Sequence, residues 1–282
     1  MRLTLAASAT IQNEIEKNVS IDRVIYAGGA LMSTAIIVQA RMGSTRLPGK
    51  VLKPLSGKPV LWHIFDRLKR VREAQVLCLA TSHLAADDSL AEIARQWGIY
   101  VFRGDESDVL SRYVGCAQEV GADRIVRITA DCPLIDPDVV GSAIDYFQAQ
   151  PFDYLAVEGG PRGLDTEVFS RDALEEAHRD GRYPAAREHV TFHLYHSGLY
   201  KVARCPVPEI YRRPQYRLCV DEPLDYQLLA EIYDRFYRPG RIVSVPTVLA
   251  WLDENPQWAR LNDGVVQKNV QPEDLQPIVQ RD

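Results

Sequence analysis

Residues 36–50 read "IIVQARMGSTRLPGK". An apolar run from Ile36 to Val38 passes at once into a loop carrying Arg41, Gly43, Ser44, Arg46, Pro48, Gly49 and Lys50. A short continuous run of Ile and Val indicates a strand covered on both faces. The loop that leaves it holds three cations, two glycines and no acid. Backbone N–H groups of such a turn can approach an anion, with Arg46 offering a planar fork and Lys50 a point charge. It is not a Walker A loop: five residues separate Gly43 from Gly49, and Val51 stands where a metal-binding Ser or Thr belongs. The dinucleotide GxGxxG is absent as well. A merely solvated basic loop is the plain alternative, and Gly43, Pro48 and Gly49 at a strand exit weigh against it.

Outward from this stretch the pattern recurs. "TAIIVQA" (34–40), "QVLCLAT" (75–81), "IYVF" (99–102), "RIVRITA" (124–130) and "YRLCV" (216–220) read as strands. "PVLWHIFDRLKRV" (59–71), "DSLAEIARQWG" (88–98), "SDVLSRYVGCAQEVG" (107–121) and "DPDVVGSAIDYFQAQ" (136–150) place apolar residues at three- and four-residue steps and read as helices. Strand and helix in alternation predict an α/β domain with a mainly parallel sheet, right-handed crossovers and helices on both faces. Residues 151–215 break the rhythm and predict a small inserted subdomain, which at the carboxyl edge of an open sheet would cover a second substrate. The catalytic domain is expected over residues 32–261, with a polar C-terminal tail over 262–282. Residues 1–31 show no cleavage pattern and are expected to be an N-terminal extension that adds nothing to catalysis.

Of 282 residues, 46% are hydrophobic and 25% charged, as in an ordinary soluble globule. The net charge of -5 argues against a reader of nucleic acid polymers. Five cysteines without CxxC spacing suit a reducing, cytoplasmic setting and do not indicate zinc. No stretch approaches the roughly 18 consecutive apolar residues of a membrane span.

Two sites share a local grammar, "TADCPL" (129–134) and "CVDEPL" (219–224). Asp131 and Asp221 each follow an apolar run and precede a helix, so both carboxylates are expected on the edge that carries the cationic loop. Magnesium takes a few carboxylates plus phosphate oxygens and waters, and this pair is that minimum. Either aspartate alone could instead be a helix N-cap, as Asp136 before Pro137 and Asp138 most simply is. Asp108 and Arg112, four apart on a helix, could simply pair with each other.

"ARMGSTRLPGKVL" (40–52) resembles the signature loop of the sugar-activating cytidylyltransferases, the family of CMP-Kdo and CMP-acylneuraminate synthetases, and is closer to the spore-coat polysaccharide biosynthesis branch. The likeness continues in "FRGDESDVLSRY" (102–113), "RITADCPLIDP" (127–137), "GLDTEVFS" (163–170), "REHVT" (187–191) and "RLCVDEPLDY" (217–226), and so spans about residues 33–255. It implies a Rossmann-like sheet of the nucleotide-diphospho-sugar transferase type and catalysis by Arg46, Lys50, Asp131 and Asp221, with Mg2+ on the two aspartates. It further implies CTP against Ala40, Arg41, Gly43, Ser44, Arg46 and Lys50, and cytosine along Thr81, Ser82, Arg103, Gly104 and Asp108. An acidic sugar would meet Arg162, Glu167, Arg187, Glu188 and His189. His189 is either structural or a base titrating near neutrality. Tyr183, Tyr195 and Tyr200 could line the sugar pocket or a dimer contact, and a homodimer is expected. The loop differs from that of acylneuraminate enzymes, so their sugar specificity does not carry over. Two other readings stay open: another nucleotide or a phospho-acid or phosphonate acceptor, and a glycosyltransferase-like binder of sugar nucleotides. The cationic loop favours a triphosphate substrate, which needs more neutralisation than a bound nucleotide sugar.

Overall fold

The computed structural model describes residues 32–267 and 270–276, so the expectation for residues 1–31 lies outside the described residues. The described residues from Ser33 onward group as one compact unit. Its strands are β1 (Thr34–Gln39), β2 (Pro54–Leu55), β3 (Lys58–Pro59), β4 (Val76–Ser82), β5 (Tyr100–Gly104), β6 (Arg124–Thr129), β7 (Tyr154–Glu158), β8 (Glu167–Ser170) and β9 (Val202–Pro206). The α-helices are α1 (Val60–Leu68), α2 (Asp88–Gln96), α3 (Val109–Glu119), α4 (Pro137–Gln148), α5 (Arg171–Asp180), α6 (Pro184–His189), α7 (Phe192–His196), α8 (Pro223–Phe236), α9 (Val245–Glu254) and α10 (Pro256–Ala259). No helix among the described residues is long and apolar enough to cross a membrane.

Seven strands form one sheet in the order β5-β4-β1-β6-β8-β7-β9. β1 runs parallel to β4 and β6, and β4 parallel to β5. β8 is antiparallel to both β6 and β7, while β7 and β9 pair in parallel. Alternate residues of β1 feed two cores: Ile36 and Val38 join one with Leu61, Ile144 and Leu229, and Ala35 and Ile37 join the other with Leu110, Tyr113 and Leu174. Both faces are therefore buried, which is why β1 reads as a continuous apolar run.

The sequence expectation differs from the fold at two places. Tyr216–Val220 is no strand; it makes only an isolated bridge, Arg162 to Arg217, and Val220 N–H donates to the Asp131 carbonyl at 2.7 Å. Its apolar content, Leu218, Cys219 and Val220, is buried beside the strand ends instead. Residues 151–215 also contribute β7, β8 and β9 to the main sheet, so their short strands extend the sheet past β6.

The loop after β1 turns at Gly49, whose φ of 65° lies in the left-handed region and leads into a 3-10 turn, Lys50–Leu52. Gly43 does not take a positive φ, so conformational freedom is needed at Gly49 alone of the two. Gly49→Ala is expected to cost about 1 kcal/mol, read as a lowered urea midpoint at unchanged slope. A midpoint equal to the parent's would show that the turn does not need the glycine.

Candidate active site

Val51 is 2% exposed, and its burial anchors the turn so that Lys50, one residue earlier, points back across the strand ends. The Lys50 Nζ stands 2.9 Å from Asp131 Oδ2 and 2.8 Å from Asp221 Oδ1. Arg46 reaches the same Asp221 oxygen at 3.1 Å and Glu222 at 3.2 Å. The third loop cation turns elsewhere, Arg41 pairing with exposed Glu106, and beyond the loop Lys53 and Lys58 lie over the rings of Tyr226 and Trp62. The cationic loop is thus divided by function, with Arg46 and Lys50 committed to the acids.

Neither aspartate is a helix cap. Asp136 caps α4 by accepting from Asp138 N–H at 3.0 Å, and Glu222 forms a capping box with Asp225 at the start of α8. Asp131 and Asp221 are left to face the loop. Thr129 Oγ1 donates to Asp131 Oδ1 at 2.5 Å, leaving Oδ2 to Lys50. Arg217 Nη2 donates to Asp221 Oδ2 at 2.6 Å, leaving Oδ1 to Lys50 and Arg46.

Arg217 is itself held by Asp225, which is fully buried and accepts from Arg217 Nε at 2.9 Å, from Asn262 Nδ2 at 2.8 Å and from the backbone of Asp221 and Glu222 at 3.0 Å each. Asn262, placed by sequence at the start of the tail, is 2% exposed and bound into this network. The E-P-L-D spacing of a capping box is the signal in sequence that points to Asp225; nothing local points to Arg217 or Asn262.

Burial opposes charge on Lys50, but the Asp131 and Asp221 carboxylates outweigh it and hold the ammonium above its ordinary value. Burial likewise opposes the Asp131 anion, and Lys50 with the Thr129 hydroxyl overcomes this, keeping the carboxyl far below the usual range. Such a carboxylate is a poor proton acceptor and a good ligand or counter-charge.

Along the expected cytosine edge, most groups are already engaged. Ala40 is buried and Ser44 Oγ accepts from Leu47 N–H. The Ser82 hydroxyl donates to Asp87, whose carboxylate also takes Met42 N–H at 2.7 Å and so ties the cationic loop to the end of β4. Arg103 spends its guanidinium on the Ser82 and Leu84 carbonyls and on Asp88. Asp108 caps α3 through Ser111 N–H and pairs with Arg187 at 3.4 Å, so the alternative ion pair with the Arg112 side chain is not made. At this edge the buried Thr81 hydroxyl and Nε and Nη1 of buried Arg112 lack hydrogen bonds among the described residues. The Arg112 stem passes where a Cβ on Gly104 would stand, 2.7 Å from its Cγ.

A cavity of about 460 Å³ opens beside Asp131. A single cross-strand row, Arg127, Glu167, Ala156 and Arg204, forms part of its lining, and the small Ala156 leaves the space between Glu167 and Arg204. Arg162 and Glu167 of the expected acceptor set line it, together with Tyr195. Arg187, Glu188 and His189 are not in that lining: Arg187 is turned to Asp108 and the His178 carbonyl, and Glu188 is exposed on α6. Tyr183 is bonded to His193 instead. Arg127, Tyr154 and Arg204 line the cavity without having been singled out in sequence, where they look like ordinary alternating strand residues.

Glu167 accepts from Arg127, from Tyr154 Oη at 2.5 Å and from Thr191 Oγ1 at 2.8 Å. Burial raises its carboxyl, but Arg127 and these donors outweigh that and hold it below its ordinary 4.5. The stabilisation is therefore complete above about pH 4.5 and is lost as pH falls below that value. Glu167→Gln, which leaves Arg127 buried without its partner, is expected to cost about 3 kcal/mol at pH 7, with the difference from the parent shrinking toward pH 3. Thermal melts across that range test this; a pH-independent difference would place the effect elsewhere.

The description "Cytidylyltransferase" belongs to the family model that matches residues 35–242. The spore coat polysaccharide biosynthesis protein SpsF of Bacillus subtilis is 36% identical over 233 residues, covering 79% of this chain and 95% of its own. The 3-deoxy-manno-octulosonate cytidylyltransferase of Geobacter sulfurreducens is 34% identical over 115 residues, 40% of this chain and 44% of its own. A solved cytidylyltransferase from Leptospira borgpetersenii superposes with a TM-score of 0.75 at 31% identity, covering 81% of this chain and 97% of the other. With the loop cations, Asp131 and Asp221 all inside the matched region, the chain belongs to the cytidylyltransferase family, on its SpsF-like branch, and is a nucleotidyltransferase.

Proposed function

We propose that the protein transfers CMP from CTP to a hydroxyl of an acidic sugar, with Mg2+, in the synthesis of a surface polysaccharide, and that it works as a cytoplasmic homodimer. The observation that carries this reading is the Lys50 ammonium lying within 2.9 Å of both Asp131 and Asp221: one cation already reaches an oxygen of each. The donor set fits a hard divalent ion, since each aspartate presents one oxygen to the loop while its other is fixed by Thr129 or Arg217. Among the described residues no group of three or more His, Cys, Asp or Glu side chains is placed to hold a metal, so substrate oxygens and water would complete the shell. When bound, the ion supplies Lewis-acid charge at the α-phosphate.

The chain's own part is positioning and neutralisation. Arg46 and Lys50 take the triphosphate oxygens as the acceptor hydroxyl, giving up its proton to water, forms a bond to the α-phosphorus and the bond to the departing pyrophosphate breaks. The cavity beside Asp131 takes the acceptor, and Arg162 and Arg204 in its lining offer guanidinium forks to the acceptor's carboxylate. The relative named for 3-deoxy-manno-octulosonate supports an acidic keto sugar as the acceptor class. Pyrophosphate release from each of four nucleoside triphosphates, with and without Mg2+ and a panel of acidic sugars, tests the reading. Release that needs CTP, metal and an acid is the expected result; release with another triphosphate, or none at all, rejects it.

A further inference from the structure

On this reading of the site, we infer that Lys50 is a positioning residue that keeps a divalent ion off the free enzyme until a nucleotide draws the lysine away. The oxygens open to a metal are few. Asp131 Oδ1 is taken by Thr129, and Asp221 Oδ2 by Arg217, which Asp225 and Gln267 hold in place. The oxygens that remain, Asp131 Oδ2 and Asp221 Oδ1, are the two that Lys50 bridges, and Arg46 shares the second. An ion entering between them would meet an ammonium and a guanidinium at contact distance, in a site where both lysine and aspartate are largely shielded from water.

The two competing cations have one feature in common: both stand on the loop after β1, four residues apart. Arg217, the third cation on Asp221, comes from a different segment and has anchors of its own. A triphosphate reaching that loop offers Arg46 and Lys50 new oxygens of full negative charge, and it brings ligands for the metal at the same time. Departure of the loop cations then uncovers the aspartates at the moment when the metal's other ligands arrive. Metal and nucleotide consequently bind together, and the metal-free carboxylates stay paired at a fixed separation without mutual repulsion.

Mn2+ alone serves as the probe, with the full-length chain and electron paramagnetic resonance of the free aqueous ion as the readout, so no activity is needed. Lys50→Met and Lys50→Gln are expected to bind Mn2+ at least about tenfold more tightly than the parent in the absence of nucleotide. Lys50→Arg, which keeps the charge, is expected to bind it as weakly as the parent; a role in packing alone would not produce that recovery. Equal Mn2+ affinity for parent, Met and Gln variants overturns the inference, as does tight binding by the Arg variant. Thermal melts identify a variant that has not folded, and the Met and Gln changes differ enough in polarity for one to stand in for the other. The Mn2+ comparison decides the matter even if no nucleotide is turned over, a result that would reject the proposed function and leave this inference standing or falling by itself.

Discussion

Asp131→Asn is expected to lower CMP transfer by about 10²- to 10³-fold while the protein stays folded. The side chain stands at the exit of β6 with one oxygen fixed by Thr129 and the other on Lys50, so replacement by an amide keeps the shape and removes the charge. Folding should tolerate the change because the backbone contact, Asp131 carbonyl to Val220 N–H, survives and Lys50 retains Asp221. Initial rates of pyrophosphate release with the substrate pair identified, measured beside a thermal melt, provide the check. An Asn variant that kept more than about a tenth of the rate would remove Asp131 from the chemistry, since a well-placed charge stabiliser is worth more than that.

Asp225→Asn is expected to be the most damaging change away from the reacting atoms, costing about 3 to 5 kcal/mol of stability. Both carboxylate oxygens are occupied by donors: Oδ1 by Arg217 and Asn262, Oδ2 by the Asp221 and Glu222 backbone. Whichever way an amide is turned, its NH2 faces two N–H groups, and the Arg217 guanidinium loses its buried partner. Arg217 in turn positions Asp221, so the surviving folded fraction should also turn over more slowly. Urea unfolding gives the first effect and rates per folded molecule at low temperature the second. A loss of less than about 1 kcal/mol would mean that the network rearranges around the amide.

Much of this molecule is legible in its sequence. The apolar runs at 34–40, 75–81, 99–102 and 124–130 coincide with β1, β4, β5 and β6 to within a residue or two, because strands buried on both faces leave a local signature. Asp131 and Asp221 were recognisable for a related reason: an acid directly after an apolar run sits at a strand exit or its equivalent. The exception, Tyr216–Val220, shows the limit of the same rule, since burial beside strand ends makes the same apolar run without a ladder.

The chain's composition and periodicity by themselves determined an α/β sheet, a cationic turn at the end of its first strand and two aspartates on the same edge. Only the tertiary structure decided that Arg46 and Lys50 face those acids while Arg41 does not, that Arg103 is spent on carbonyls, and that Arg127, Glu167, Ala156 and Arg204 form one row beside Asp131. The physical reason is range. A strand or a cap is chosen by neighbours within a few residues, whereas a side chain's partner is chosen by register and packing between segments such as residues 127, 167 and 204, which meet only when the sheet is assembled.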